Sequence, residues 1–285
     1  NTRPVGPRRL QIRASLAVSV KVWCEQEEEF LTGCDNEQVE TLTRPVRVSS
    51  FVGAAERQFD VSEELEIPAG KPAASSVIRS RPVAVLQDCK LIHNKIIAKG
   101  EVLLRTLYAC DAEDDGAGRL EVAEHSIPIS QILDMEGVEE DCGCDADFVP
   151  GAVQTEVRED GNGESRILEV RLIVTASARA YRTREISAVA DAYSPQYELQ
   201  METKPYTTTH VVDRLRLNDM VRQTLELPDT TLTALTDCDG LAQVKENRFD
   251  SDGLHLNGDL TLMLTGTDES GGPVSMERTV PFELK

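Results

Sequence analysis

The sequence has few aromatic residues and no long uninterrupted apolar segment. Tryptophan, tyrosine and phenylalanine together make up 4% of its 285 residues. No apolar run approaches the roughly 18 residues that a membrane-spanning helix needs, and no charged-then-apolar leader is visible at its start. The sequence therefore predicts no membrane insertion, and it offers few aromatic side chains for a binding surface that clusters them.

Positive charge is also scarce. Lysine and arginine number 30 against 50 aspartates and glutamates, which gives a formal net charge of −20 and a pI near 4.6. A protein that binds nucleic acid or an anionic membrane needs a basic surface to neutralise phosphates. The charge balance excludes both classes of partner.

Long amphipathic helical patterns are missing, and two-residue alternation takes their place. Residues 166–181 alternate between apolar and mostly polar side chains, and residues 8–23 repeat this alternation in the same phase. Such a period is typical of a long strand with one buried face. The chain is therefore predicted to be mainly β, with a helix candidate only at residues 211–224 and a helical turn at 131–135.

Further matching segments indicate an internal duplication. Residues 65–68 correspond to 225–228, residues 96–104 with Gly100 correspond to 254–262 with Gly258, and residues 127–129 correspond to 280–282. These matches predict two homologous β-sandwich-like domains, at residues 1–135 and 165–285. Residues 136–164 form an acidic, cysteine-containing linker with a hairpin strand, and Asp160-Gly161-Asn162-Gly163 is typical of a hairpin turn.

The seven cysteines are the main candidates for chemistry, as disulfides or cross-links. They are Cys24, Cys34, Cys89, Cys110, Cys142, Cys144 and Cys238. An odd number cannot pair completely within one chain, and six of them precede the second copy. Cross-links between chains explain this distribution, and Cys24 with Cys34 would also suit a disulfide that closes a hairpin loop. The alternative is a set of small buried or idle thiols in a reducing compartment.

Cys142-Gly143-Cys144 places two thiols one residue apart on a predicted flexible acidic loop. Intermolecular disulfides, a soft metal ion and an inert loop all remain open for it. A zinc site usually needs a second cysteine pair, which does not follow here. The neighbouring carboxylates should raise the pKa of both thiols and slow thiolate chemistry, which favours slow cross-linking over fast catalysis.

Other site motifs are incomplete. The histidines at positions 93, 125, 210 and 255 have no second ligand at metal-binding spacing, and no nucleophile–base motif is present. Three acidic segments, at 111–115, 237–240 and 250–253, resemble fragments of calcium loops but lack the full pattern, so solvated turns are the competing interpretation. We expect neither an enzyme nor a bound metal or cofactor.

Several short blocks resemble the SPOCS domain of spore-coat and exosporium proteins. They are Asp191-Ala192-Tyr193-Ser194-Pro195, the strand at 166–174, the segment from Gly100 to Tyr108, Leu65 to Pro68, and Ile127-Pro128-Ile129. The resemblance extends over nearly the whole chain and supplies no catalytic residues. It implies a non-enzymatic building block of the spore envelope, made as a soluble protein in the mother cell and placed at the spore surface.

Two functions are compatible with this resemblance. The first is a structural protein that self-assembles into an ordered layer or filament, reinforced by intermolecular disulfides, with other copies and other spore-envelope proteins as its partners. The second is a non-catalytic module that recognises a glycan or another coat protein.

Overall fold

The computed structural model describes residues 2–12, 27–110, 119–205, 207–208, 210–211, 220–222, 224–227, 232–270 and 272–285. All regular structure in these residues is β. The strands are β1 (Thr2–Gly6), β2 (Arg9–Ile12), β3 (Glu40–Glu66), β4 (Ala74–Ile92), β5 (Lys95–Cys110), β6 (Leu120–Asp134), β7 (Gly143–Arg158), β8 (Ile167–Tyr193), β9 (Ala234–Asp250), β10 (Gly253–Thr267) and β11 (Pro273–Leu284). The prediction of a mainly β chain is confirmed.

The strands form three three-stranded antiparallel sheets and one short two-stranded ribbon. Their orders are β3-β8-β7, β4-β5-β6 and β11-β10-β9, with β1 paired to β2. Strands that are consecutive in the sequence form two of the three larger sheets. The turn between β7 and β8 lies at the predicted Asp160–Gly163 segment. There the Asp160 carboxylate accepts hydrogen bonds from the backbone N–H groups of Asn162 and Glu164.

The central strand β8 follows the alternation in its sequence closely. Seven alternate residues are buried, namely Leu168, Val170, Leu172, Val174, Ala176, Ala178 and Ala180. They form one hydrophobic cluster with buried residues of the β4-β5-β6 sheet, including Ile96, Val102, Leu104 and Ile127. Burial of apolar area of this kind is the main favourable term in folding, and here both sheets contribute to the same core.

Strand β5 is the centre of the β4-β5-β6 sheet and runs without interruption through Gly100. Gly100 pairs with Leu86 on β4 and with Ile129 on β6, beside a β-bulge at Leu86/Asp88. A Cβ at Gly100 would lie only 2.3 Å from the Val85 carbonyl oxygen. Gly100 therefore does not interrupt the strand, and its lack of a side chain lets two paired backbones approach closely.

The β9-β10-β11 sheet repeats this local geometry. Gly258 on β10 pairs with Val244 on β9 and with Phe282 on β11, again beside a β-bulge. A Cβ at Gly258 would lie 2.2 Å from the Gln243 carbonyl oxygen. The prolines correspond as well, since Pro128 pairs with Glu101 and Pro281 pairs with Asp259.

The chain divides into two compact units. One contains residues 1–46 and 185–206, and the other contains residues 47–184 and 207–285. The first unit holds β1 and β2, and the second holds the hydrophobic cluster. The predicted domain boundaries, the sandwich architecture and the duplication stay predictions, since most of the first repeated strand lies outside the described residues.

One local prediction is wrong. Gln131 and its neighbours lie in β6 rather than in a helical turn. Strand β3 is 27 residues long, and the described residues between 197 and 205 form no strand. Long-range pairing lengthens β3 and β6 beyond what their local patterns indicate.

Some predictions fall outside the described residues. These concern Cys24, the strand beyond residue 12, the acidic segment 111–118 and most of the helix candidate at 211–224.

Candidate functional site

The candidate cysteines occupy very different environments. Cys34 is exposed, Cys110 and Cys142 are buried, and Cys89, Cys144 and Cys238 are half-buried. Only an exposed thiol can meet a second chain without opening the fold. Cys34 is therefore the described cysteine best placed for a cross-link between chains.

Two of the half-buried cysteines meet across the fold. The Cys89 and Cys144 sulfurs lie 3.3 Å apart, although the two residues are 55 positions apart in the sequence. Cys89 belongs to β4 and Cys144 to β7, which form edges of the two sheets that share the core. Sequence reasoning named both residues but not their proximity, because no local pattern brings β4 next to β7.

The prediction that Cys142-Gly143-Cys144 lies on a flexible loop is wrong in part. Gly143 and Cys144 begin β7 and pair with Tyr181 and Ala180 of β8. The Cys142 sulfur lies within the preceding turn, 3.5 Å from the Glu139 backbone nitrogen. The two neighbouring thiols thus belong to different structural environments.

A cluster of opposite charges joins β9 to β4 and β5. The Asp237 side chain is buried and pairs with Arg79 and with Arg105, whose Nε lies 3.2 Å from Oδ1. Arg81 pairs with Asp239 in the same way, and Arg105 donates to the Cys238 carbonyl at 2.6 Å. The cluster attaches one sheet to another.

Sequence analysis missed this cluster and placed residues 237–240 in a calcium-like or solvated turn. They lie in strand β9 instead. A usable signal was present, since Arg79 and Arg81 share the two-residue spacing of Asp237 and Asp239, which places each pair on one face of its strand.

The remaining metal candidates do not come together. Residues 250–253 form the β9–β10 turn, where the Asp250 carboxylate accepts from the Asp252 N–H at 2.9 Å. His93 lies 2.7 Å from Glu139, and His255 lies 3.3 Å from Asp250. Among the described residues, no group of three histidine, cysteine, aspartate or glutamate side chains could hold a metal ion.

Two ionisable groups have clear electrostatic environments. Burial raises the pKa of Tyr108 to about 12, and its hydroxyl donates to the Pro72 carbonyl at 3.1 Å. On the outer face of β8, a hydrogen bond from Arg171, assisted by Arg158, lowers the pKa of the Glu169 carboxyl. Both arrangements stabilise strands and neither resembles an acid–base pair.

The described part of the chain contains no helix of the length and apolar character that crossing a membrane requires.

One family model matches the part of the chain that contains the Cys89 and Cys144 pair. The SipL, SPOCS domain model covers residues 73–158, which run from the start of β4 to the end of β7. Residues 73–158 are therefore a segment that is similar to the SPOCS domain. Both Cys89 and Cys144 lie within it, as do the Gly100–Tyr108 and Ile127–Ile129 blocks that carried the resemblance.

The SPOCS domain associates the chain with sporulation. The other resembling blocks, at 65–68, 166–174 and 191–195, lie outside the matched residues. Searches of curated proteins and of solved structures gave no match.

Proposed function

We propose that this protein is a non-catalytic structural component of the bacterial spore envelope, located at the spore surface, which self-assembles into an ordered layer or filament. The observation that carries the proposal is the SPOCS domain at residues 73–158. An envelope component needs association surfaces rather than a reaction centre.

The β9 strand supports association between copies. Within the described part of the chain β9 pairs only with β10, so its other edge presents unpaired backbone groups. Residues 240–249 are exposed, including Leu241 at 73% and Phe249 at 82%. An exposed edge that carries apolar side chains, here Leu241, Val244 and Phe249, is a template for strand addition, and a second copy of the chain offers a matching edge.

Cysteine placement supports reinforcement between chains. Cys34 is exposed in a segment without regular structure, where a thiol from another copy can approach it. Cys110 is buried and provides a matched control. Intermolecular disulfides through Cys34 would then be lost in Cys34→Ser and retained in Cys110→Ser.

We also propose that the β4-β5-β6 and β9-β10-β11 sheets descend from an internal duplication, each as part of a sandwich-like domain. The matching registers around Gly100 and Gly258 support this relation. The paired prolines at Pro128 and Pro281 add a second point of correspondence.

Electron microscopy of the purified chain tests the proposal. We expect ordered sheets or filaments from the wild type and dispersed particles from Leu241→Lys, because a lysine on an edge strand opposes strand addition. Met263→Lys adds the same charge on the central strand β10, where the side chain is 47% exposed, and should still assemble. Circular dichroism shows whether both variants keep the wild-type fold.

Dispersed monomers from the wild type, with or without reductant, would reject self-assembly and favour a module that binds a glycan or another coat protein. Non-reducing electrophoresis of assembled material tests the disulfides separately. A dimer band that disappears with reductant and is absent in Cys34→Ser is expected, whereas monomer alone would remove the covalent reinforcement from the proposal.

A further inference from the structure

The Cys89–Cys144 pair has a geometry that suits a bond within one chain. Sulfurs in a disulfide are about 2.05 Å apart, so the observed 3.3 Å leaves a short approach. Both residues pack against the hydrophobic core from opposite sheet edges. The two sulfurs must approach by about 1.3 Å for the bond to form.

The neighbours of both thiols are small. Cys89 pairs directly with Ala98 across β4 and β5, and Cys144 pairs with Ala180 across β7 and β8. Directly opposed residues in antiparallel strands project to the same face of their sheet. Since both alanines are buried, the two thiols face the shared interior beside methyl groups, which leave space for sulfur.

We propose that Cys89 and Cys144 form an intramolecular disulfide that joins β4 to β7 inside the SPOCS domain. This disulfide does not depend on assembly. The other five cysteines take no part in it, namely Cys24, Cys34, Cys110, Cys142 and Cys238. Cys142, two residues away, is held in its own turn by the Glu139 backbone N–H and is not the partner. The bond links the edges of the two sheets at the core that they share.

The reaction requires a disulfide oxidant, for which a low-molecular-weight disulfide such as oxidised glutathione is sufficient. One cysteine thiolate attacks a sulfur of that reagent, forming a mixed disulfide and expelling one thiolate. The second cysteine thiolate attacks the protein sulfur of the mixed disulfide and expels the other. One sulfur–sulfur bond forms in the protein and one breaks in the reagent, and the two protons from the cysteines pass through solvent to the released thiolates.

Mass spectrometry of the full chain tests the pairing. Reduced protein is treated with oxidised glutathione, its remaining thiols are alkylated, and it is digested without reduction. We expect a linked peptide pair that contains Cys89 and Cys144, which accounts for two of the thiols lost on oxidation. Trypsin leaves Cys142 and Cys144 in one peptide, so the digest alone does not show which of them is linked to Cys89. Two variants make the distinction: we expect Cys142→Ser to retain the link and Cys144→Ala to abolish it.

Thermal unfolding provides a second measurement. Oxidation should raise the Tm of the wild type by roughly 5–15 °C, since a disulfide that closes a long loop restricts the unfolded chain. Neither Cys89→Ala nor Cys144→Ala should respond to the oxidant, while both should fold when reduced. Absence of the linked peptide from oxidised wild-type protein, or a link that persists in Cys144→Ala, would overturn the assignment.

Discussion

Gly100 lies where β5 comes closest to β4, and replacing it with alanine adds one methyl group at this approach. The new Cβ would be 2.3 Å from the Val85 carbonyl oxygen, 3.2 Å from the Leu86 Cα and 3.1 Å from the Phe148 ring. Two of these neighbours are backbone atoms of a paired strand. The methyl group therefore cannot be accommodated by a side-chain rotation alone.

The expected loss of stability follows from this crowding. A separation of at least 3.0 Å requires β4 and β5 to move apart by about 0.7 Å beside their bulge. Overpacking of this kind costs about 1–3 kcal/mol, and a clash with backbone belongs at the upper end. The alanine also restricts the unfolded chain, which returns up to about 1 kcal/mol. We expect Gly100→Ala to lower the free energy of unfolding by about 2 kcal/mol.

Urea unfolding followed by circular dichroism measures this change. Gly161→Ala is the matched control, because a Cβ at Gly161 meets nothing within 4 Å. Gly258→Ala, whose Cβ would lie 2.2 Å from the Gln243 carbonyl oxygen, should behave like Gly100→Ala. If Gly100→Ala is as stable as Gly161→Ala, the close approach of β4 and β5 is not a constraint on this position.

Two further predictions concern buried polar groups. The pKa of Tyr108 is raised from 10.0 to about 12 in the folded state, so the unfolded chain loses this proton first as the pH rises. The contribution of Tyr108 to stability is therefore present below pH 10 and declines between pH 10 and 12. Urea titrations in this window should show a shallower decline of stability for Tyr108→Phe than for the wild type, and parallel curves would contradict the assignment. Asp237→Ala leaves Arg79 and Arg105 without their buried partner and should lower the free energy of unfolding by about 1–3 kcal/mol in the same assay, a range reduced because both guanidinium groups are partly exposed. The control Asp239→Asn, at a more exposed ion pair, should change the free energy of unfolding by less than about 1 kcal/mol. Equal effects of the two variants would show that the burial of Asp237 is unimportant.

Local sequence patterns were sufficient for several features of the fold. Alternation from Leu168 to Ala180 identified every buried position on that part of β8, because side chains in a strand project to opposite faces with a period of two. The Asp160 turn was equally predictable, since its carboxylate bonds to backbone groups only two and four residues away. In both cases the interactions that determine the structure lie within a short stretch of chain.

Strand lengths were harder to predict. Gln131 has a helix-compatible neighbourhood, yet it pairs with Ala98 in the middle of a continuous ladder. Gly100 looks like a break in sequence and is a point of close backbone contact in the fold. The backbone hydrogen bonds and side-chain contacts of an adjacent strand outweigh weak local preferences, and the identity of that strand is not written in the local pattern.

The candidate site shows the same division most clearly. The sequence determined that Cys89 and Cys144 exist, that the chain is strongly acidic, and that Arg79 and Arg81 share a strand face with the spacing of Asp237 and Asp239. Only the tertiary structure decided that the two sulfurs lie 3.3 Å apart and that Asp237 is buried between Arg79 and Arg105. The residues in each of these contacts are far apart in the chain. They meet because burial of apolar faces brings separate sheets together.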